Sequence, residues 1–169
     1  MHREFLKISS DRLRQTAGRI ESCLGQLTAE QIWARGGHNE NAIGNLVLHL
    51  CGNVRQWIVA GVGGAADIRE RDQEFDARGG VAPAELAERL RQVIAEATAV
   101  IDQLPPDRLA ERIVVQNYDV SLLGAIYHVV EHFSGHTGQI IFATKMLTGA
   151  DLGFYRHLRT TAPHGLTTP

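Results

Sequence analysis

Cysteine is scarce in this 169-residue chain, and its two examples, Cys23 and Cys51, form no CxxC pair. A disulfide framework, a zinc finger and a redox dithiol are thereby excluded, and a reducing cytoplasm is the expected compartment. A large excess of either charge is missing as well. Lys and Arg total 17 against 19 Asp and Glu, a formal charge of −2, so no electrostatic footprint exists for nucleic acid or an anionic membrane surface. No 18 apolar residues run together, and the opening MHREFLKISSDRLRQ scatters charges where a secretory signal needs an unbroken apolar stretch. Neither membrane spanning nor export is expected. GxGxxG, P-loop, GxSxG and HExxH patterns are all lacking, which sets aside nucleotide-fold enzymes, serine hydrolases and the common metalloproteases.

What is present is helical periodicity, in a chain whose length and 44% hydrophobic content suit a single core. Phe5, Ile8, Leu13, Ala17, Ile20, Leu24 and Leu27 recur at threes, fours and fives, predicting a first helix. Thr28 to Gln31 reads as a weak capping box for a short turn through Trp33. Asn41 is the expected N-cap of a second helix that runs to about Val62. The mixed charges of residues 65–80, ending in Gly79-Gly80, read as a long connection, a crossover more than a domain linker. Pro83 suits the first turn of a third helix, whose apolar face is Leu86, Leu90, Val93, Ile94, Ala97 and Ile101 and which Pro105-Pro106 stops. Residues 112–116 suit an extended run, but one apolar run of that size builds no sheet. Ser121 is expected to cap a last helix, Leu122 to Thr148, closed by Gly149. The expectation is an all-α, four-helix bundle of non-meander topology over residues 1–158, with residues 159–169 a flexible tail.

Three of the eight histidines, His128, His132 and His136, follow one another at four-residue spacing on the last helix. At about 100° per residue, His132 and His136 share a stripe with Ala125, Val129, Gln139, Ile140, Ala143 and Leu147, while Tyr127 and Glu131 point away. Buried imidazoles are costly unless their nitrogens find partners, and a divalent cation between two rings is one such partner. A third ligand has to come from another helix. His49 is the only histidine in the other long amphipathic segments, and Asn45, Asn53 and Gln56 flank it as the mouth of a site would require. Each also has a blander reading. A lone buried histidine commonly bonds to backbone, the His132–His136 pair reads either way, and His128 reads as a neighbour of the site or a surface residue. His2, His38, His157 and His164 lie in termini or loops and receive no role. Cys51 lies on the other side of its helix from His49, and Trp57 reads as packing or as the wall of a pocket. Gly124, Gly135 and Gly138 permit close helix approach, within the bundle or between copies.

The segments AIGNLVLHLCGNVRQWIVAGVGG, with His49, and YHVVEHFSGHTGQIIFATKMLTG, with His132, His136 and Gln139, resemble the DinB-like, or YfiT-like, metal-dependent bundle proteins of bacteria. That family carries a histidine in its second helix and an HxxxHxxQ signature in its fourth. The resemblance implies an up-down-down-up bundle and a metal triad of His49, His132 and His136; by their places on the helices, Gln139, one turn beyond His136, is the best supporting residue, with Asn45, Asn53 and His128 around the pocket. It also implies frequent homodimers and, for some relatives, transferase activity with low-molecular-weight thiols or hydrolase activity on a small-molecule substrate. Three neutral imidazoles leave an ion's charge uncompensated and coordination positions open to water or thiolate. All-nitrogen ligation suits zinc or nickel, with iron or copper as further candidates. The competing expectation is a non-catalytic bundle with a structural metal or none, serving self-association or stress-response binding. No residue is assigned as catalytic acid or base.

Overall fold

A computed structural model describes residues 1–37 and 39–159; His38, His164 and the tail expected beyond Arg159 lie outside the described residues. Helix α1 (His2–Leu24) buries Leu6, Leu13, Ala17 and Ile20. Ile8, expected on that face, is 48% exposed, and Ser9 and Ser10 take the buried places beside it. Thr28 caps α2 (Ala29–Trp33) with the expected reciprocal box. Helix α3 (Ile43–Val54) starts at Ala42, not at Asn41. The cap is supplied from inside the helix, where Asn45 Oδ1 accepts from the Ala42 N–H at 3.1 Å.

At Arg55 the second helix widens into a π-helix, Arg55–Val62, which carries the buried Trp57. The Gly63 N–H donates to the Ile58 carbonyl five residues back, at 2.8 Å. Such segments are rare and concentrate near functional sites. The crossover holds a short helix, α4 (Arg71–Asp76), against α3. Helix α5 (Pro83–Gln103) begins with Pro83 in its first turn and buries the predicted face from Leu86 to Ile101. A 3-10 turn, Pro106–Ala110, follows.

The extended run at residue 112 does build a small sheet. Strand β1 (Arg112–Val115) pairs antiparallel with β2 (Tyr118–Ser121), Val115 facing Tyr118 across the turn. Gln116 and Asn117 both take positive φ, 49° and 66°, as the tightest two-residue hairpin turn demands. Strand β2 carries little apolar signal, which is why its partnership escapes a reading of apolar runs. Ser121 then caps α6 (Leu122–Thr148) by accepting from the Gly124 N–H at 3.0 Å, and Gly149 ends it at φ 65°.

The result is a four-helix bundle of up-down-down-up topology. Among the four long helices, α1 and α3 each pack on α5 and α6 and so sit on one diagonal. Leu13, Ile20, Leu50, Ile58, Leu90, Ile101, Ile126 and Phe133 fill the centre. Among the described residues no helix is long and apolar enough to cross a membrane.

Candidate metal centre

Helices α3 and α6 face one another at one place where the buried surface turns polar. His49 comes from α3, and His132 and His136 from successive turns of α6; one ligand atom from each lies within 4.8 Å of the others. His49 Nε2 and His132 Nε2 stand 2.9 Å apart. The three rings meet edge to face, with centroids 4.5 to 5.2 Å apart. Nitrogens bound 2.0–2.1 Å from a tetrahedral ion lie about 3.4 Å from one another, so small ring rotations separate this cluster from a ligand set. His49 is buried, whereas His132 and His136 are half-buried. The fully buried stripe of α6 is centred on Phe133, Thr137 and Ile140, and Leu147 is 41% exposed. The two histidines therefore occupy the flank of the core face, not its middle, which leaves their cluster a route to solvent.

Two of the three candidate ligand rings, those of His136 and His49, are oriented by a bond at Nδ1. Gln139 Oε1 lies 2.7 Å from His136 Nδ1, so the Nδ1–H donates to the amide and Nε2 keeps its lone pair. His49 Nδ1 lies 3.0 Å from Glu74 Oε2. Carboxylates and amides in this position fix the tautomer and orientation of metal-binding histidines. Burial, joined by repulsion from the neighbouring imidazoles and from Arg69, pushes the His132 imidazole down to about 4. Burial also lowers His136, against the Gln139 bond. Both rings are thus neutral at neutral pH, the form that binds a cation.

Glu74 was not identifiable from spacing. It arrives from α4 with Arg69, which grips it through Nε–Oε1 at 2.7 Å and Nη2–Oε2 at 2.8 Å. Burial alone raises the Glu74 carboxyl; the bonds from Arg69 and His49 outweigh it and hold the group below the usual carboxylate range. Gly52 makes the approach possible, because a Cβ there would collide with Glu74 Oε1 and lie 2.8 Å from its Cδ and 3.0 Å from Arg69 Nε. A glycine in mid-helix, three residues after His49, was the one available signal. Phe75, next to Glu74, lays its ring 4.8 Å from that of His49.

The other candidates lie nearby in different roles. Asn45 is fully buried and fastens the crossover to α3: its Nδ2 donates to the carbonyls of Glu74 at 2.8 Å and Ala77 at 2.9 Å, while Arg35 Nη2 donates to its Oδ1 at 2.6 Å. Asn53 is buried one turn beyond His49, its Oδ1 without a hydrogen-bond partner among the described residues. His128 is outside the triad. Its ring stacks between Trp57, at 4.3 Å, and His132, at 5.5 Å, and burial lowers its pKa. Cys51 lines a separate cavity of about 360 Å³ on the far side of Glu74, and burial pushes its thiol up to about 12. Tyr127 and Glu131 are exposed.

Comparison with known proteins agrees with this architecture. A family model described as "Protein of unknown function (DUF1572)" matches residues 1–158. No curated protein matches. A conserved protein of Enterococcus faecalis is similar in structure, with a TM-score of 0.73 at 16% identity over 85% of this chain and 97% of its own. A DinB-like protein of Bacillus subtilis, YjoA, superposes with a TM-score of 0.67 at 12% identity, covering 87% of this chain and 96% of its own. At such identities the likeness is one of fold.

Proposed function

The chain belongs to the family described as DUF1572, and we propose that it is a DinB-like, mononuclear metal-dependent enzyme of the cytoplasm. The observation that carries this reading is the convergence of His49, His132 and His136, ligand atoms mutually within 4.8 Å, on helices distant in sequence. Three neutral nitrogen donors suit zinc or nickel and also accept iron or copper. An ion held there supplies Lewis acidity, which lowers the pKa of a small thiol or a water. The protein's own part is to keep His132 and His136 neutral by burial, to orient His49 and His136 through Glu74 and Gln139, and to leave the half-buried flank of α6 open to substrate. The reaction class is transfer of a low-molecular-weight thiol to a small electrophile, or hydrolysis of one.

Elemental analysis of untagged protein tests the ligand set. Wild type is expected to hold about one equivalent of divalent metal per chain, and His49→Ala and His132→Ala are each expected to lose it. Equal metal content in all three proteins would eliminate the triad.

The working unit is proposed to be a homodimer built on α6. Tyr127, Phe142 and Met146 are 61%, 67% and 71% exposed, and open space lies beyond Gly135 and Gly138 between them.

A further inference from the structure

One histidine of the cluster has two partners competing for a single nitrogen. Around His49 Nδ1 stand the Glu74 carboxylate, Oε2 at 3.0 Å, and the Arg69 guanidinium, Nη2 at 3.1 Å. These neighbours make opposite demands. A carboxylate only accepts, so it calls for a proton on Nδ1; a guanidinium only donates, so it calls for a lone pair there. Since a neutral imidazole carries one proton, whichever partner prevails at Nδ1 decides what stands at Nε2, the nitrogen that faces His132 at 2.9 Å.

We propose that Glu74 is a positioning residue that selects the tautomer of His49, holding the proton on Nδ1 and thereby exposing the Nε2 lone pair to the cation. Arg69 serves the selection by being occupied. Its Nε and Nη2 are spent on the carboxylate, and Nη1 donates to Gln56 Oε1 at 2.9 Å. With only 3% of its side chain exposed, the guanidinium has His49 Nδ1, 3.1 Å from Nη2, as the nearest acceptor left to that nitrogen if the carboxylate is removed. It would then donate to His49 Nδ1, and the imidazole proton would move to Nε2, into the cluster. In the metal-free protein the His49–His132 bond reverses with it: His132 Nε2–H donates to His49 when Glu74 is present, and His49 donates to His132 when it is not. The crossover therefore sets the chemistry of the site from outside the ligand set, although it supplies no ligand. The inference rests on the three-histidine reading only in its consequence for metal; the tautomer itself is a property of the metal-free protein.

Two measurements on the full chain test it. Imidazole 15N shifts of the metal-free protein are expected to show His49 as the Nδ1–H tautomer in wild type and the Nε2–H tautomer in Glu74→Ala. In the double variant Glu74→Ala, Arg69→Ala, which also removes the stranded charge in case the single variant folds poorly, the forced Nε2–H form is expected to disappear. Competition with a zinc chelator is expected to show zinc(II) bound about 10- to 100-fold more weakly by Glu74→Ala, with part of that loss recovered in the double variant. A buried carboxylate that mattered only for packing would make the double variant worse, not better. Wild-type His49 in the Nε2–H form, an unchanged tautomer in Glu74→Ala, or no recovery in the double variant overturns the proposal. Absence of zinc binding in wild type itself would sink the metal reading, while the 15N shifts would still decide the role of Glu74.

Discussion

A single imidazole shows how burial and neighbours prepare this site. His132 titrates near 4 in the folded protein, against about 6.5 for a histidine in the unfolded chain. Between those values the unfolded chain binds a proton that the folded chain refuses, so stability rises with pH across that window. The contribution is fully present above about pH 6.5 and is lost as pH falls toward 4. The unfolding free energy of the metal-free protein, measured in urea, is therefore expected to decline from pH 7 to pH 4.5. His132→Ala should flatten part of that decline, because the variant has no ring to protonate on unfolding. A slope identical to wild type would show that the ring is no more desolvated in the fold than outside it. The same property keeps the nitrogen lone pair available to a cation in mildly acidic solution, where an exposed histidine would already be charged.

At the scale of elements, the second helix and the crossover form one device. Helix α3 offers His49 on one turn and the absent side chain of Gly52 on the next, and α4 fills that space with Glu74 under the grip of Arg69. Gly52→Ala adds a single methyl where the Glu74 carboxylate lies, in a place with no room to yield without parting the ion pair. It is expected to destabilise the fold by about 1–3 kcal/mol, despite the better helix propensity of alanine, and to weaken metal binding with it. Chemical denaturation and zinc competition check the two effects; a variant as stable as wild type would mean the crossover sits more loosely on α3. The four long helices were legible because a buried stripe of period 3.6 leaves its mark on every turn, as Leu86 to Ile101 does. The elements that escaped notice carry no such periodicity. Helix α4 is too short for it, β2 gains its place only by pairing with β1, and the π segment looks like any helix in its apolar pattern. His49, His132 and His136 could be singled out because each sits on a periodic helix. Glu74 and Arg69 could not, because their importance lies in contacts reached through a charged crossover.

On the scale of the whole molecule, the core and the site make different demands on α6. The buried stripe through Phe133, Thr137 and Ile140 binds the helix to the bundle, the flank holds His132 and His136, and a third face remains exposed. On that face Tyr127 lies toward one end and Phe142 and Met146 toward the other, with Gly135 and Gly138 near the midpoint. A two-fold axis at the glycines would cross two copies of the helix antiparallel, setting the Tyr127 end of one against the Phe142 end of the other. Glu131 and Lys145 fall on opposite sides of that midpoint, so the crossing also brings unlike charges together. The bare glycine backbones would let the helices approach closely, and large side chains at each end would close the seam. Sedimentation is expected to give twice the 18.6 kDa chain mass for wild type and the monomer mass for Phe142→Glu, which puts a charge into the seam. Ile68→Glu, at a residue 69% exposed on the crossover, should leave the dimer intact. A monomeric wild type, or a Phe142→Glu variant that remains dimeric, would remove α6 as the seam. The three-histidine cluster, formed within one chain, would then be expected to work without a second copy.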